Sequence, residues 1–241
     1  MKAANMSLEP VLPRRLFVFQ TLSFVPVTAF GLAALTHLDA FGQQADGYSP
    51  TFFNDAEWRF VNAFVDRLIP HDEVGPGAVE AGVPVFIDKQ METPYGHGGL
   101  WYMHGPFVEN TPPTLGYQLN LTPRQLYKNG IAAAEAAIKQ AQGKNFADLD
   151  DATKDDVLKA MEAGTLDIGK TPSSGTLFGF FWQNTQEGYF SDPAYGGNKD
   201  AAAWSMIGFP GARGDYLEWV DQYGKKYPYA PTTIQSAENE G

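Results

Sequence analysis

His97 and His104 bracket a Gly-Gly-Leu-Trp-Tyr-Met run, and two histidines in one loop invite a metal reading. Helix-borne zinc sites place histidines at i and i+4, and loop sites commonly add cysteine thiolates. The spacing here fits neither pattern, and the chain has no cysteine. Hydrogen-bonded loop histidines are the simpler reading. Without cysteine there is no disulfide, thiolate metal site, iron–sulfur cluster or c-type haem attachment in this chain. His71-Asp72-Glu73 follows a helical pattern and reads as a solvated turn, with His71 favoured by the helix dipole. Gly196-Gly197-Asn198-Lys199 lacks the Gly-Lys-Ser/Thr ending of a phosphate loop and reads as a tight turn. Neither a Gly-x-Ser-x-Gly elbow nor a Gly-x-Gly-x-x-Gly fingerprint occurs. The residues therefore assign no catalytic group, no metal and no cofactor to this chain.

The strongest single signal is at the N-terminus. Arg14 and Arg15 stand directly before residues 16–38, which carry no charge. A twin arginine ahead of such a stretch reads as a bacterial export signal for folded proteins. The stretch is long enough to span a bilayer, but Gln20, Thr21, Ser23, Pro26, Thr28 and Gly31 dilute its hydrophobicity. That favours a cleaved signal over a retained anchor. No clean small-x-small cleavage site decides between them.

Composition bounds the rest. The chain has 241 residues, 44% hydrophobic and 14% aromatic, enough for one domain with a substantial core. Net charge is -11, and because the first forty residues carry +1, the remainder holds -12. Such a surface repels nucleic acid and anionic lipid, so no nucleic-acid partner is expected.

The elements read as helical. Asn54 with Glu57 forms a capping box, and Trp58, Val61, Phe64, Val65, Leu68 and Ile69 share one face before Pro70. Pro84 suits the first turn of a second helix. Residues 93–121 form a long Gly/Pro-rich loop. Thr122, Pro123 and Gln125 open a third helix that Gly143 stops. A fourth spans 151–163. A fifth starts at Ser173 or Ser174 and ends at Gly188, and a short last one spans 215–223. The expected fold class is mainly α: one irregular helical domain with long Gly/Pro-rich loops, preceded by a signal helix. The division is 1–45 signal or anchor, 46–227 helical domain and 228–241 polar, mobile tail.

The aromatic loops are the positive clue. Trp101, Tyr102 and Phe107 crowd the first, and Tyr189, Phe190, Tyr195, Trp204 and Phe209 crowd residues 187–211, which read as lacking regular structure. Large aromatics on loops either cap a core or anchor an interface. Trp204, flanked by Ala201, Ala202 and Ala203, is expected to pack inward. Tyr189, Phe190, Tyr195 and Phe209 are the candidate partner-interface residues.

Two segments carry a family resemblance. One is Ile69-Pro70-His71-Asp72-Glu73, with Pro76-Gly77-Ala78, Ala81-Gly82-Val83 and Phe86-Ile87-Asp88. The other is Glu187-Gly188-Tyr189-Phe190-Ser191-Asp192-Pro193-Ala194-Tyr195-Gly196-Gly197-Asn198, with Trp204 and Ile207-Gly208-Phe209-Pro210-Gly211. Over residues 52–220 the chain resembles the small subunit, subunit 3 or gamma, of the membrane-bound gluconate 2-dehydrogenase family. Related small subunits accompany fructose and sorbitol dehydrogenases. The resemblance implies a heterotrimer on the periplasmic side of the bacterial inner membrane. A large FAD-containing flavoprotein would oxidise a sugar or sugar acid, and a multihaem cytochrome c subunit would pass electrons to quinone. The small subunit would have no catalytic residue of its own. It would escort the flavoprotein through the twin-arginine translocation machinery. Two alternatives remain open from the residues: a stand-alone periplasmic enzyme using His97 and His104, and a carbohydrate-binding module using exposed tryptophans.

Overall fold

The computed structural model describes residues 47–108 and 111–234. Arg14, Arg15 and the signal segment lie outside the described residues, as does the end of the tail. Among the described residues there are six α-helices and no strand: α1 Asp55–Leu68, α2 Val83–Met91, α3 Pro123–Gln142, α4 Asp151–Glu162, α5 Ser174–Phe190 and α6 Ala202–Ile207. The expectation of a mainly helical domain holds.

Local chemistry sets most helix ends. Asn54 accepts the Glu57 N–H, and Glu57 returns the bond to the Asn54 N–H, at 3.0 and 2.9 Å. Thr122 and Gln125 repeat this box at α3, with Pro123 in its first turn and Gly143 left-handed at its end. Asp150 and Ser173 cap α4 and α5 through the N–H groups three residues on. Each cap satisfies a backbone donor that the helix cannot.

Helix α5 is the hub, packing against α1, α2, α3, α4 and α6. Phe181 of α5 stacks on Phe64 of α1 with 4.0 Å between ring centroids. Tyr127 of α3 meets the same Phe181 edge-on at 4.9 Å. Phe60 joins from α1, touching Phe146 and Phe181. At the far end of α5, Gly188 admits Phe86 of α2. A Cβ on Gly188 would stand 2.7 Å from the Phe86 ring. An ion pair links α1 to α4, where Arg67 forks onto Asp155 at 2.8 and 3.0 Å.

Several elements differ from the sequence reading. Helix α5 runs past Gly188 to Phe190, because that glycine makes room for Phe86 rather than ending the helix. The expected helix at 215–223 is only a single tight turn, Leu217–Trp219. Residues 187–211 are not irregular: they hold the end of α5, two single turns and α6. The start of the supposed mobile tail is tied to the body. The Thr232 N–H donates to Pro210, the Ala212 N–H donates to Thr232, and the Ile234 N–H donates to the Asp192 carboxylate at 2.9 Å.

One buried carboxylate fastens the chain that enters α1. Asp88, on α2, has no exposed surface. It accepts five hydrogen bonds: from the Tyr48 hydroxyl at 2.7 Å, the Thr51 N–H and hydroxyl at 2.7 and 3.0 Å, and the Phe52 and Phe53 N–H groups at 3.1 and 3.0 Å. Burial pushes this carboxyl up, but the Tyr48 hydroxyl and the three N–H donors outweigh it and hold it below its ordinary value. Asp88→Asn replaces one accepting oxygen by a donor that faces other donors. We expect it to lower the unfolding free energy by about 3 kcal/mol, measured by chemical denaturation at pH 7. A depressed carboxyl stabilises above the unfolded value, ~4, and loses that effect as pH falls through the folded value. The stability gap between wild type and Asp88→Asn should therefore shrink below about pH 4.

Candidate functional site

The two loop histidines are not gathered into a site. His97 and His104 are both exposed, and no group of three or more His, Cys, Asp or Glu suited to a metal occurs among the described residues. His104 lies against the Tyr102 ring. His71 does chemistry of a structural kind. Its Nδ1 is 2.8 Å from Glu80, which also accepts the Gly77 N–H at 3.0 Å. The Gly77 bond, opposed by slight burial and aided by His71, holds Glu80 low. The pair therefore closes the 69–82 loop.

A second polar cluster joins the first aromatic loop to the hub. Asn184 of α5 is buried and accepts from the Tyr95 and Tyr127 hydroxyls at 3.2 and 2.8 Å. Its amide donates to Glu187 at 3.0 Å. Burial pushes Tyr95 up to about 12 and raises Tyr127 well above its ordinary value, so both remain donors at neutral pH. Trp101 and Tyr117 pack against Phe180 beside them. Loop 93–121 is thus pinned by its aromatics. None of the five tryptophans falls in the exposed class: Trp58 and Trp204 are buried and the other three half-buried.

Residues 187–211 have the most constructed surface. Asn198 is fully buried and left-handed, with φ 45°. Its amide donates to the Ser191 carbonyl and its Oδ1 accepts the Ala203 N–H, both at 2.9 Å. Asp200 and Ala201 are left-handed too. Three such non-glycine residues within four positions are costly, and the Asn198 side chain ties the corner shut at both ends. Gly197 lies against the Gly188 carbonyl, and a Cβ there would come within 2.1 Å of its oxygen. Asp192 accepts the Ala194 N–H at 2.9 Å on one oxygen and Ile234 on the other. The Trp204 indole donates to the Phe190 carbonyl at 2.9 Å.

The candidate interface residues separate on this frame. Tyr189 is buried, with its hydroxyl donating to Pro76 at 2.7 Å, so it is a core residue and not a surface anchor. Its neighbour Phe190 points outward, because adjacent helix positions differ by about 100°. Phe190, Tyr195 and Phe209 are exposed by 42, 52 and 43%. Trp204 is buried, as its alanine flank suggests, and gathers two of them: Phe209 packs edge-on at 5.1 Å, and Phe190 holds its indole. Tyr195 is presented separately, on the Pro193–Tyr195 turn. Exposed Ile207 joins the surface at the end of α6. The Ile-Gly pair marks the end of that helix, where Gly208 is left-handed, but not which way Ile207 faces.

Residues 55–211 match the family described as gluconate 2-dehydrogenase subunit 3. The chain belongs to that family. The match opens at the first residue of α1 and closes at Gly211, beside the Thr232 bridge. Neither the curated proteins nor the solved structures contain a match. The family region contains the Asn198 corner and Asp88, while the Asp88 donors, Tyr48 and residues 51–53, lie just before it.

Asn198→Ala removes two buried hydrogen bonds and leaves an alanine left-handed. We expect a loss of about 3 kcal/mol in unfolding free energy. Tyr195→Ala should stay within about 0.5 kcal/mol of wild type, since its ring covers little of the core. Thermal and chemical denaturation of both variants check the pair.

Proposed function

We propose that this chain is the non-catalytic small subunit of a heterotrimeric dehydrogenase of the gluconate 2-dehydrogenase type, on the periplasmic side of the bacterial inner membrane. The large subunit holds FAD and oxidises a sugar or sugar acid. A multihaem cytochrome c subunit takes the electrons onward. This chain steadies the flavoprotein and carries it through the twin-arginine translocation machinery by way of Arg14 and Arg15. The observation that carries this reading is the family match over residues 55–211, which takes in all six helices.

Two features support it. The chain has no cysteine, so a c-type haem with thioether attachment belongs on another subunit. Phe190, Ile207 and Phe209 are large apolar groups left exposed on a frame fixed by buried hydrogen bonds. A rigid apolar surface of this kind is suited to docking, because binding need not order it first.

Arg14→Lys combined with Arg15→Lys should strand both this chain and its flavoprotein in the cytoplasm, as read by fractionation with a dehydrogenase assay on each fraction. Normal periplasmic activity in that double variant would reject the escort role. Tyr195→Ala and Phe209→Ala should each weaken association with the flavoprotein by about thirtyfold, the cost of truncating an anchor worth ~2 kcal/mol. Affinity measured on the purified subunits checks this, and unchanged affinity in both would move the docking surface elsewhere.

A further inference from the structure

Exposed Tyr195 and Phe209 stand on separate stretches of chain: one ends the Pro193–Tyr195 turn, the other precedes Pro210. Among the described residues, no hydrogen bond runs directly between 192–195 and 209–212. A third stretch joins them. The Thr232 N–H donates to the Pro210 carbonyl at 3.0 Å, and the Thr232 carbonyl accepts the Ala212 N–H at 2.7 Å, a parallel bridge centred on Gly211. Two residues on, the Ile234 N–H donates to the Asp192 carboxylate at 2.9 Å. Residues 232–234 therefore form a strap from the Phe209 segment to the Tyr195 turn.

Both ends of the strap are built to receive it. Gly211 is left-handed, with φ 85°, and a Cβ there would collide with the Thr232 carbonyl, so glycine lets the strap lie flush on backbone. At the other end Asp192 is buried and divides its carboxylate. One oxygen accepts the Ala194 N–H at 2.9 Å, which shapes the turn that presents Tyr195, and the other accepts Ile234. A buried carboxylate needs such partners, so the turn and the strap are held by one group. The intervening chain closes on itself, leaving the body at Gly211 and returning at Thr232. Tyr227 packs with Tyr216, Trp219 and Tyr229 at 6.2, 5.2 and 5.5 Å between centroids, and the Tyr216 hydroxyl donates to the Gly211 carbonyl at 3.2 Å. These contacts shorten the effective loop and lower the entropy cost of returning Thr232 to Gly211.

We propose that residues 232–234 preset the docking surface, holding the Tyr195 turn and the Phe209 segment in the relative position that the flavoprotein subunit meets. This inference rests on the docking reading given above. A surface fixed before contact spares the complex the entropy of ordering it. The strap lies beyond residues 55–211, so the family-matched region alone does not carry a finished surface.

Two cuts test the strap. A chain ending at Pro231 lacks it, while a chain ending at Ala237 keeps it and serves as control. Asp192→Asn cuts it at one point: the amide oxygen can still accept the Ala194 N–H, but its NH2 meets the Ile234 N–H donor to donor. One readout is amide hydrogen exchange at Ala194, Tyr195 and Gly196 in the isolated subunit; the other is affinity for the purified flavoprotein subunit. These three amides bond to Asp192 and Pro193 and none bonds to the strap, so faster exchange there reports a loosened turn. Expected from both cuts are faster exchange at all three and association weaker by about tenfold. The melting temperature should stay near wild type, since the strap bonds to residues 192, 210 and 212, outside the Phe181 ring cluster. The chain ending at Ala237 should match wild type throughout. Unchanged exchange, unchanged or tighter association, or a large fall in melting temperature would overturn the strap. Tyr195→Ala and Phe209→Ala distinguish the two readings. If they weaken association and loss of the strap does not, the strap fails and the docking surface stands. If neither weakens it, the docking surface fails and takes the role of the strap with it.

Discussion

The stack of Phe181 on Phe64 sets the register of the whole domain. Because α5 supplies one ring to α1 and α3, its other faces are committed in turn. One turn on, Asn184 meets Tyr95 of the first loop and Tyr127 of α3; a further turn on, Gly188 admits Phe86. Shifting α5 by one residue would turn each of these by about 100° and lose them together. Close packing of this kind has discrete solutions, not a continuum.

That register also decides what reaches the surface. Tyr189 completes the inner side of α5, which obliges Phe190 to face out. The chain then reverses through the left-handed Asn198 corner, returns as α6, and sets Trp204 beneath Phe209. The exposed aromatics are consequently held by backbone hydrogen bonds and not merely tethered by a loop. As a member of the gluconate 2-dehydrogenase subunit 3 family, the chain devotes its most strained backbone to shaping a surface.

Much of the fold was legible because its signals are local. The Asn54–Glu57 and Thr122–Gln125 boxes and the Gly143 stop act within one helical turn, and each formed as read. What escaped depends on distant partners. The role of Gly188 is set by Phe86 on another helix, and Asp88 binds residues 35 to 40 positions away. Composition treats Tyr189 and Phe190 alike; only the orientation of α5 separates them. The inward turn of Trp204 was readable because its alanine neighbours leave room for a large ring. Ile207 was missed because nothing in the sequence distinguishes an exposed isoleucine at a helix end from a core one.

The placement of the hub late in the chain has a consequence for synthesis. Tyr189 donates to Pro76 across 113 positions, and the ring that packs on α1 belongs to the same late helix. As the polypeptide leaves the ribosome, α1 to α4 emerge with their apolar faces uncovered. Until α5 arrives they can make only the contacts they share with one another, and the faces that α5 covers stay open. The apolar faces that α5 covers are therefore completed only when residues 174–190 have been made.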